Sequence, residues 1–206
     1  MAQEPTFSVV NQAVADPSTV GLASFGISLF VLSFSLAGIL GPNAVCITIP
    51  LALITGLIHF FASLNGFKKN ELFTALVFGI YGMFWVVHGL INLGVALNWY
   101  VLDASALQIF LIAYTIFTGI IFIATLVTNK AVILTLAVLL AVFLCLDFGL
   151  SGRPQLITLA GYLGMIDGLL ALYLCAAGIL GAMFGRSVLP VGPVGQAKAE
   201  AAPEAA

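Results

Sequence analysis

Asp16-Pro17-Ser18-Thr19-Val20-Gly21-Leu22-Ala23-Ser24-Phe25 is the stretch where a polar beginning gives way to the first of six long apolar runs. Asp16 has the side chain of an N-cap, and Pro17 suits the first helical position, where a missing N–H has no intrahelical partner to lose. A carboxylate there also sits well against the positive end of the helix dipole. The stretch therefore starts a helix and carries it into apolar sequence. It admits a second reading, as the mouth of a path. Gly21, Ala23, Ser24, Gly26 and Ser28 are small and surround one large ring, Phe25, about one to two turns in. Small residues let helices approach closely, and a lone ring among them can project into whatever space the bundle encloses.

Working outward, the whole chain has the same character. Its 206 residues are 62% hydrophobic and 7% charged, with a mean hydropathy of +1.21. A soluble domain carries about 25% charged residues, so this chain cannot cover a water-facing surface and belongs in a lipid bilayer. The net charge of −2 and the lack of a basic run exclude a nucleic-acid partner. Cys46, Cys145 and Cys175 lie inside apolar runs at no metal-ligand spacing and read as packing residues. Neither HExxH, GxSxG nor a P-loop occurs, so no enzyme, metal or cofactor is expected.

The apolar runs are Val20–Leu40, Val45–Leu64, Leu72–Leu97, Ala104–Val127, Ala131–Leu150 and Leu156–Phe184. Each can cross a hydrocarbon core of about 30 Å. Backbone groups in lipid must pair internally, so all six are expected to be helices. The fold expected is all-α, a polytopic membrane protein with a six-transmembrane-helix bundle over residues 16–192. A polar tail precedes it over 1–15, and a disordered tail follows over 193–206. Glu4 and the absence of a basic leader argue against a cleavable signal peptide. Lys68, Lys69, Lys130, Arg186 and Lys198 share one side and Arg153 the other, which predicts cytoplasmic termini.

Polar residues recur at helical spacing. Tyr81, Trp85, His88 and Asn92 form a stripe, as do Thr48, Thr55 and His59, then Ser24, Ser28 and Ser35, then Tyr114, Thr118 and Thr125. Such stripes serve either interhelical hydrogen bonding or a lined path. Gly161, Gly164, Gly168 and Ala171 make a face for tight packing. Asp167 lies deep in the sixth run, where an ionisable group is costly and marks a functional candidate by default. His59 and His88 read as packing histidines or as proton sites. Asp147, near the outer end of its run, is expected to reach the interface.

Four local sequences together resemble one family, the acetate/succinate transporters that include the bacterial succinate–acetate permease and yeast acetate-uptake proteins. Asp16-Pro17-Ser18-Thr19-Val20-Gly21-Leu22 is similar to that family's Asn-Pro-Ala-Pro-Leu-Gly-Leu opening. Tyr81-Gly82-Met83-Phe84-Trp85 resembles its Tyr-Gly-x-Phe-Trp, and Ala160-Gly161-Tyr162-Leu163-Gly164 its Ala-Gly-aromatic-x-Gly. Phe184-Gly185-Arg186-Ser187-Val188-Leu189-Pro190-Val191-Gly192 resembles Phe-Gly-Arg-Thr-Val-Leu-Pro-x-Gly. The chain departs at Asp16, which replaces Asn, and at His59, where the family often has Gln.

The resemblance implies a homohexamer in the inner membrane, each protomer with its own path for a small carboxylate, acetate or succinate. It implies an apolar constriction of Phe25, Tyr81 and Leu139, with Asp16, Gly21, Ser24, Ser28, Thr55 and Trp85 along the path. Hydroxyls and helix-end N–H groups are expected to hold the carboxylate. Proton-assisted passage would draw on His59, His88 or Asp167. Two alternatives are carried alongside: a channel for a neutral or cationic solute such as ammonia, and a non-transporting scaffold.

Overall fold

The computed structural model describes residues 15–194. The tail expected over 1–15 falls outside them up to residue 14, and the C-terminal tail from residue 195 on. Six helices, all of spanning length and hydropathy, follow in order: α1 Pro17–Leu36, α2 Val45–Lys68, α3 Leu72–Ala96, α4 Ala104–Thr125, α5 Lys130–Leu150 and α6 Gln155–Phe184. This is an all-α, multi-pass membrane fold.

The ends of α1 and α2 differ most from the apolar runs. α1 stops at Leu36 because Gly38 takes φ +74°, a left-handed conformation that glycine adopts without strain. The N–H groups of Ile39 and Leu40 then turn back to the Phe34 carbonyl. α2 continues past Leu64 to Lys68. There the Asn65 amide donates to the Phe61 carbonyl at 2.8 Å, and Gly66 lets α3 come close: a Cβ on Gly66 would stand 2.9 Å from Ala75 N.

Successive helices are antiparallel and close into a ring, with α1 between α2 and α6. The two kinds of seam differ. α1 meets α6 backbone to backbone. A Cβ on Gly168 would lie 2.9 Å from Gly26 O, and one on Gly161 would lie 2.7 Å from Ala37 Cα. α3 and α4 make no such approach. Large rings fill that seam instead: Phe84 stacks on Phe110 at 5.6 Å and meets Tyr114 edge-on at 4.9 Å.

The C-terminal segment returns to the bundle. Gly192 and Val191 carbonyls accept from the N–H groups of Lys130 (2.8 Å) and Ala131 (3.1 Å), and Val194 N–H donates to Thr128 O at 3.2 Å. The Tyr173 hydroxyl holds Pro190 O at 2.7 Å. Pro193 and Val194, assigned to the tail from sequence, are thus paired with the α4–α5 junction. The first N–H groups of a helix have no intrahelical acceptor, and this segment supplies two of them for α5. Asn129 Oδ1 accepts a third, from Val132 N–H at 3.0 Å.

Gly161→Ala should lower thermal stability by about 1–3 kcal/mol, because its Cβ meets backbone that cannot rotate away. Gly119→Ala, where nothing lies within 4 Å, should be neutral or stabilising; thermal unfolding in detergent compares the two. Truncation after Pro190 should speed hydrogen exchange at the Lys130 and Ala131 amides by about tenfold or more, read by mass spectrometry.

Candidate functional site

α1, α3 and α5 all begin on the face that carries both ends of the described chain. Between them the ring encloses a cavity of about 260 Å³, walled also by His59 of α2, Leu174 of α6 and the Thr128–Asn129 junction. Along α1 the lining residues are Ser18, Leu22 and Phe25; along α5 they end at Leu139; along α3 they end at Tyr81. Phe25, Tyr81 and Leu139 are therefore the deepest lining residues of the three helices, about 12–14 Å from the helix starts at 1.5 Å per residue. They form the floor. All three are buried, and the Phe25 ring lies 6.4 Å from Tyr81 and 6.3 Å from Trp85.

Tyr81 presents its ring to the floor and not its hydroxyl proton. Its Oη lies 2.8 Å from Thr118 Oγ1. Thr118 gives its one proton to Tyr114 O at 2.7 Å, so Tyr81 is the donor in that pair. A tyrosine in an apolar floor is satisfied this way without offering a donor to the cavity.

The polar wall follows the same rule. Ser18 Oγ donates to Asp16 Oδ1 at 2.7 Å, Thr128 Oγ1 to Thr125 O at 2.6 Å, and Thr135 Oγ1 to Ala131 O at 3.0 Å. These protons are spent inside the protein. The donors left in the lining are the Asn129 amide, the Thr74 hydroxyl and the uncapped first turn of α3 around Phe73. Among the described residues the wall holds no lysine, arginine, aspartate or glutamate.

His59 Nε2 lies 3.2 Å from Gly21 O. The same carbonyl accepts from Ser24 Oγ at 2.9 Å. Gly21 is a glycine because Phe78 stands against it; its edge carbon Cδ1 would be 2.6 Å from an added Cβ. The His59 ring rests between Phe25 and Phe78, at 6.4 and 5.2 Å, and its Nδ1 has no partner.

The other residues singled out from sequence fall into two groups. Asp16 caps α1, accepting from Ser18 N–H at 2.9 Å. Its charge is engaged at the helix end, and the N-terminus of α1 is already occupied as an anion site. With α5 capped as well, the expected pool of free helix-end N–H groups shrinks to α3. Ser28 and Thr55 hydrogen-bond each other across α1 and α2; neither borders the cavity. Beyond the floor stands Trp85, with its Nε1 unpaired, while Asp167 is fully buried with both carboxyl oxygens unpaired. The Gly26–Gly168 approach sets Asp167 at the depth of Phe25. His88 lies farther along α3, stacked on Phe84 at 5.8 Å and bonded to the Asn92 amide at 3.3 Å. It is separated from His59 by the floor. Asp147, expected to reach the interface, is instead buried and accepts from Thr115 Oγ1 at 2.6 Å.

Sequence reasoning missed Thr74, Phe78, Asn129 and Thr135 in the wall. The signal for α5 was present: Val132, Thr135, Leu136 and Leu139 recur at helical spacing, and Thr135 is the one hydroxyl in an otherwise apolar half-helix.

Known proteins share this architecture. The solved structure of the bacterial acetate channel SatP is similar with a TM-score of 0.83 and 30% identity, covering 87% of this chain and all of that one. The succinate-acetate/proton symporter SatP of Escherichia coli is 30% identical over 186 residues, spanning 88% of this chain and 97% of that protein. Acetate permease A of Emericella nidulans is 29% identical over 219 residues, covering 94% of this chain and 72% of its own. The profile of one family runs through the opening motif, all six helices and the returning segment, matching residues 2–194, and the chain belongs to that family, GPR1/FUN34/yaaH.

Proposed function

We propose that this protein carries acetate and related small carboxylates, succinate among them, across the inner membrane, and that it is a transporter or channel and not an enzyme. The observation that carries the reading is a cavity whose deepest lining residues on α1, α3 and α5 are Phe25, Tyr81 and Leu139. Supporting it are relatives named for acetate and succinate. The vestibule collects the solute, and the floor resists hydrated ions because it offers no replacement for their water. In this reading the Lys-bearing face with both termini is cytoplasmic, and six copies assemble with one path each.

A proton accompanies the carboxylate in this proposal. Of the three candidate proton partners, Asp167 is best placed: it shares the depth of the floor and has no hydrogen-bond partner. A second reading has one observation in its favour. A wall with no cation among its described residues also suits ammonia or another neutral or cationic solute. Competition separates the two: acetate uptake should be blocked by unlabelled acetate and not by ammonium.

Uptake of labelled acetate into liposomes, corrected for empty liposomes, is the test. Phe25→Ala and Tyr81→Ala should each lower the preference for acetate over butyrate by about three- to tenfold, because one or two methylenes in a tight apolar passage are worth roughly 1–3 kcal/mol. An unchanged preference in both folded variants would remove the floor from the path. Asp167→Asn should keep uptake at equal pH on both sides and lose the stimulation by an inward proton gradient. Stimulation equal to wild type would take Asp167 out of the coupling.

A further inference from the structure

We propose that Thr118 is a selectivity-determining residue: it keeps the floor apolar by holding the Tyr81 hydroxyl in the seam between α3 and α4, so that hydroxylated short acids are turned away. This rests on the transport reading above. Thr118 is fully buried and does not border the cavity, so it acts through Tyr81 as a positioning residue. Its Oγ1 lies 2.7 Å from the Tyr114 carbonyl and 2.8 Å from Tyr81 Oη. A carbonyl can only accept, so the one threonine proton goes there and the tyrosine proton comes to Oγ1. The bond back to its own helix also fixes the threonine rotamer, since a β-branched side chain in a helix has few to choose from. By spacing, Tyr114 and Thr118 could line a path. In the structure they form the anchor for a tyrosine that does.

The surroundings give that hydroxyl no second partner. The Tyr81 ring is bordered by the rings of Phe117 at 5.6 Å, Phe25 at 6.4 Å and Tyr114 at 6.5 Å. The Tyr114 hydroxyl is directed to Ile80 O at 3.4 Å. Among the described residues, these two side-chain hydrogen bonds, from Tyr81 and from Tyr114, are the ones that join α3 to α4. Removing the Thr118 acceptor leaves the Tyr81 hydroxyl unpaired, and the open volume that Tyr81 borders is the cavity. A floor that offers an O–H group can hold a hydroxyl on the solute. The native floor offers none, so a short acid with a hydroxyl loses its water there and gains nothing in return. A plain alkyl acid has no such hydroxyl to satisfy.

Glycolate is acetate with one hydroxyl added, so the ratio of their uptake by the full-length protein in liposomes reads the polarity of the floor. Thr118→Val keeps the volume and removes the acceptor. It should raise the glycolate-to-acetate ratio about three- to tenfold, the worth of one hydrogen bond to a buried hydroxyl. Thr118→Ala, which removes the acceptor with less bulk, should move the ratio the same way. Thr118→Ser, which can still accept, should restore the native ratio. In a Tyr81→Phe background, Thr118→Val should leave the ratio where Tyr81→Phe alone sets it, a result that loosened packing does not produce. Size-exclusion chromatography selects the folded variants. An unchanged ratio in the folded valine and alanine variants would overturn the proposal, as would an equal rise without the Tyr81 hydroxyl. Either result leaves carboxylate transport standing. Acetate uptake by the native protein no faster than through empty liposomes would overturn the carboxylate reading itself.

Discussion

A polar side chain inside a bilayer has two places to go: back to its own helix or across to a neighbour. That constraint organises this molecule. Ser28 bonds Thr55 across α1 and α2, Tyr81 bonds Thr118 across α3 and α4, and Thr115 bonds Asp147 across α4 and α5. Ser63 donates to the Ala75 carbonyl across α2 and α3. Each bond uses a proton that would otherwise face the interior. Leaving a buried polar atom unpaired costs about 1–3 kcal/mol, so the exceptions are informative. Among the described residues the exceptions are His59 Nδ1, Trp85 Nε1 and the Asp167 carboxyl, around the floor of the cavity, and Ser33 Oγ, Ser35 Oγ and Asp147 Oδ1, which do not border it.

The seams decide where that floor falls. Glycine lets α1 and α6 touch through their backbones, which leaves no room between them for a solute. Aromatic rings hold α3 and α4 apart and fill what they open. The open volume is left between the beginnings of α1, α3 and α5. Phe25 therefore turns toward Tyr81 and Trp85 because the face of α1 that carries Gly26, Ser33 and Ala37 is committed to α6. Packing on one side of a helix thus fixes the ring that lines the cavity on the other.

Much of this was legible in the residues. Six spans follow from hydrophobic length, and the Gly161–Gly164–Gly168 face follows from spacing. Asp16 was legible as a cap, and the structure shows the capping bond. Less legible was what each hydroxyl bonds to. Spacing places Ser28, Thr55, Tyr81 and Thr118 on inward faces, but inward includes both the cavity and the seams. Only the rotation of each helix against its neighbours separates the two. The returning segment 191–194 was hidden for another reason. Proline and glycine there resemble a tail, and its bonds are backbone groups that cap α5, a role with no side-chain signature. Spacing along α5 placed Asp147 near the helix end but gave no sign of its bond to the Thr115 hydroxyl on α4.

If the proposed path runs through the floor, magnitudes favour a neutral passenger. Protonating a carboxyl whose pKa is about 4–5 costs roughly 3–4 kcal/mol at pH 7. Stripping water from a carboxylate in an apolar, unpaired site costs several kcal/mol per ion even after relaxation, and far more in the rigid limit. The Tyr81 hydroxyl, the obvious group to soften that cost, is turned to Thr118. Phe25 and Leu139 have nothing to offer an anion. Protonation is therefore the smaller of the two costs wherever the floor stays dry. In the proposed transport, the unpaired carboxyl of Asp167 at the same depth is the group that suits a solute arriving with its proton.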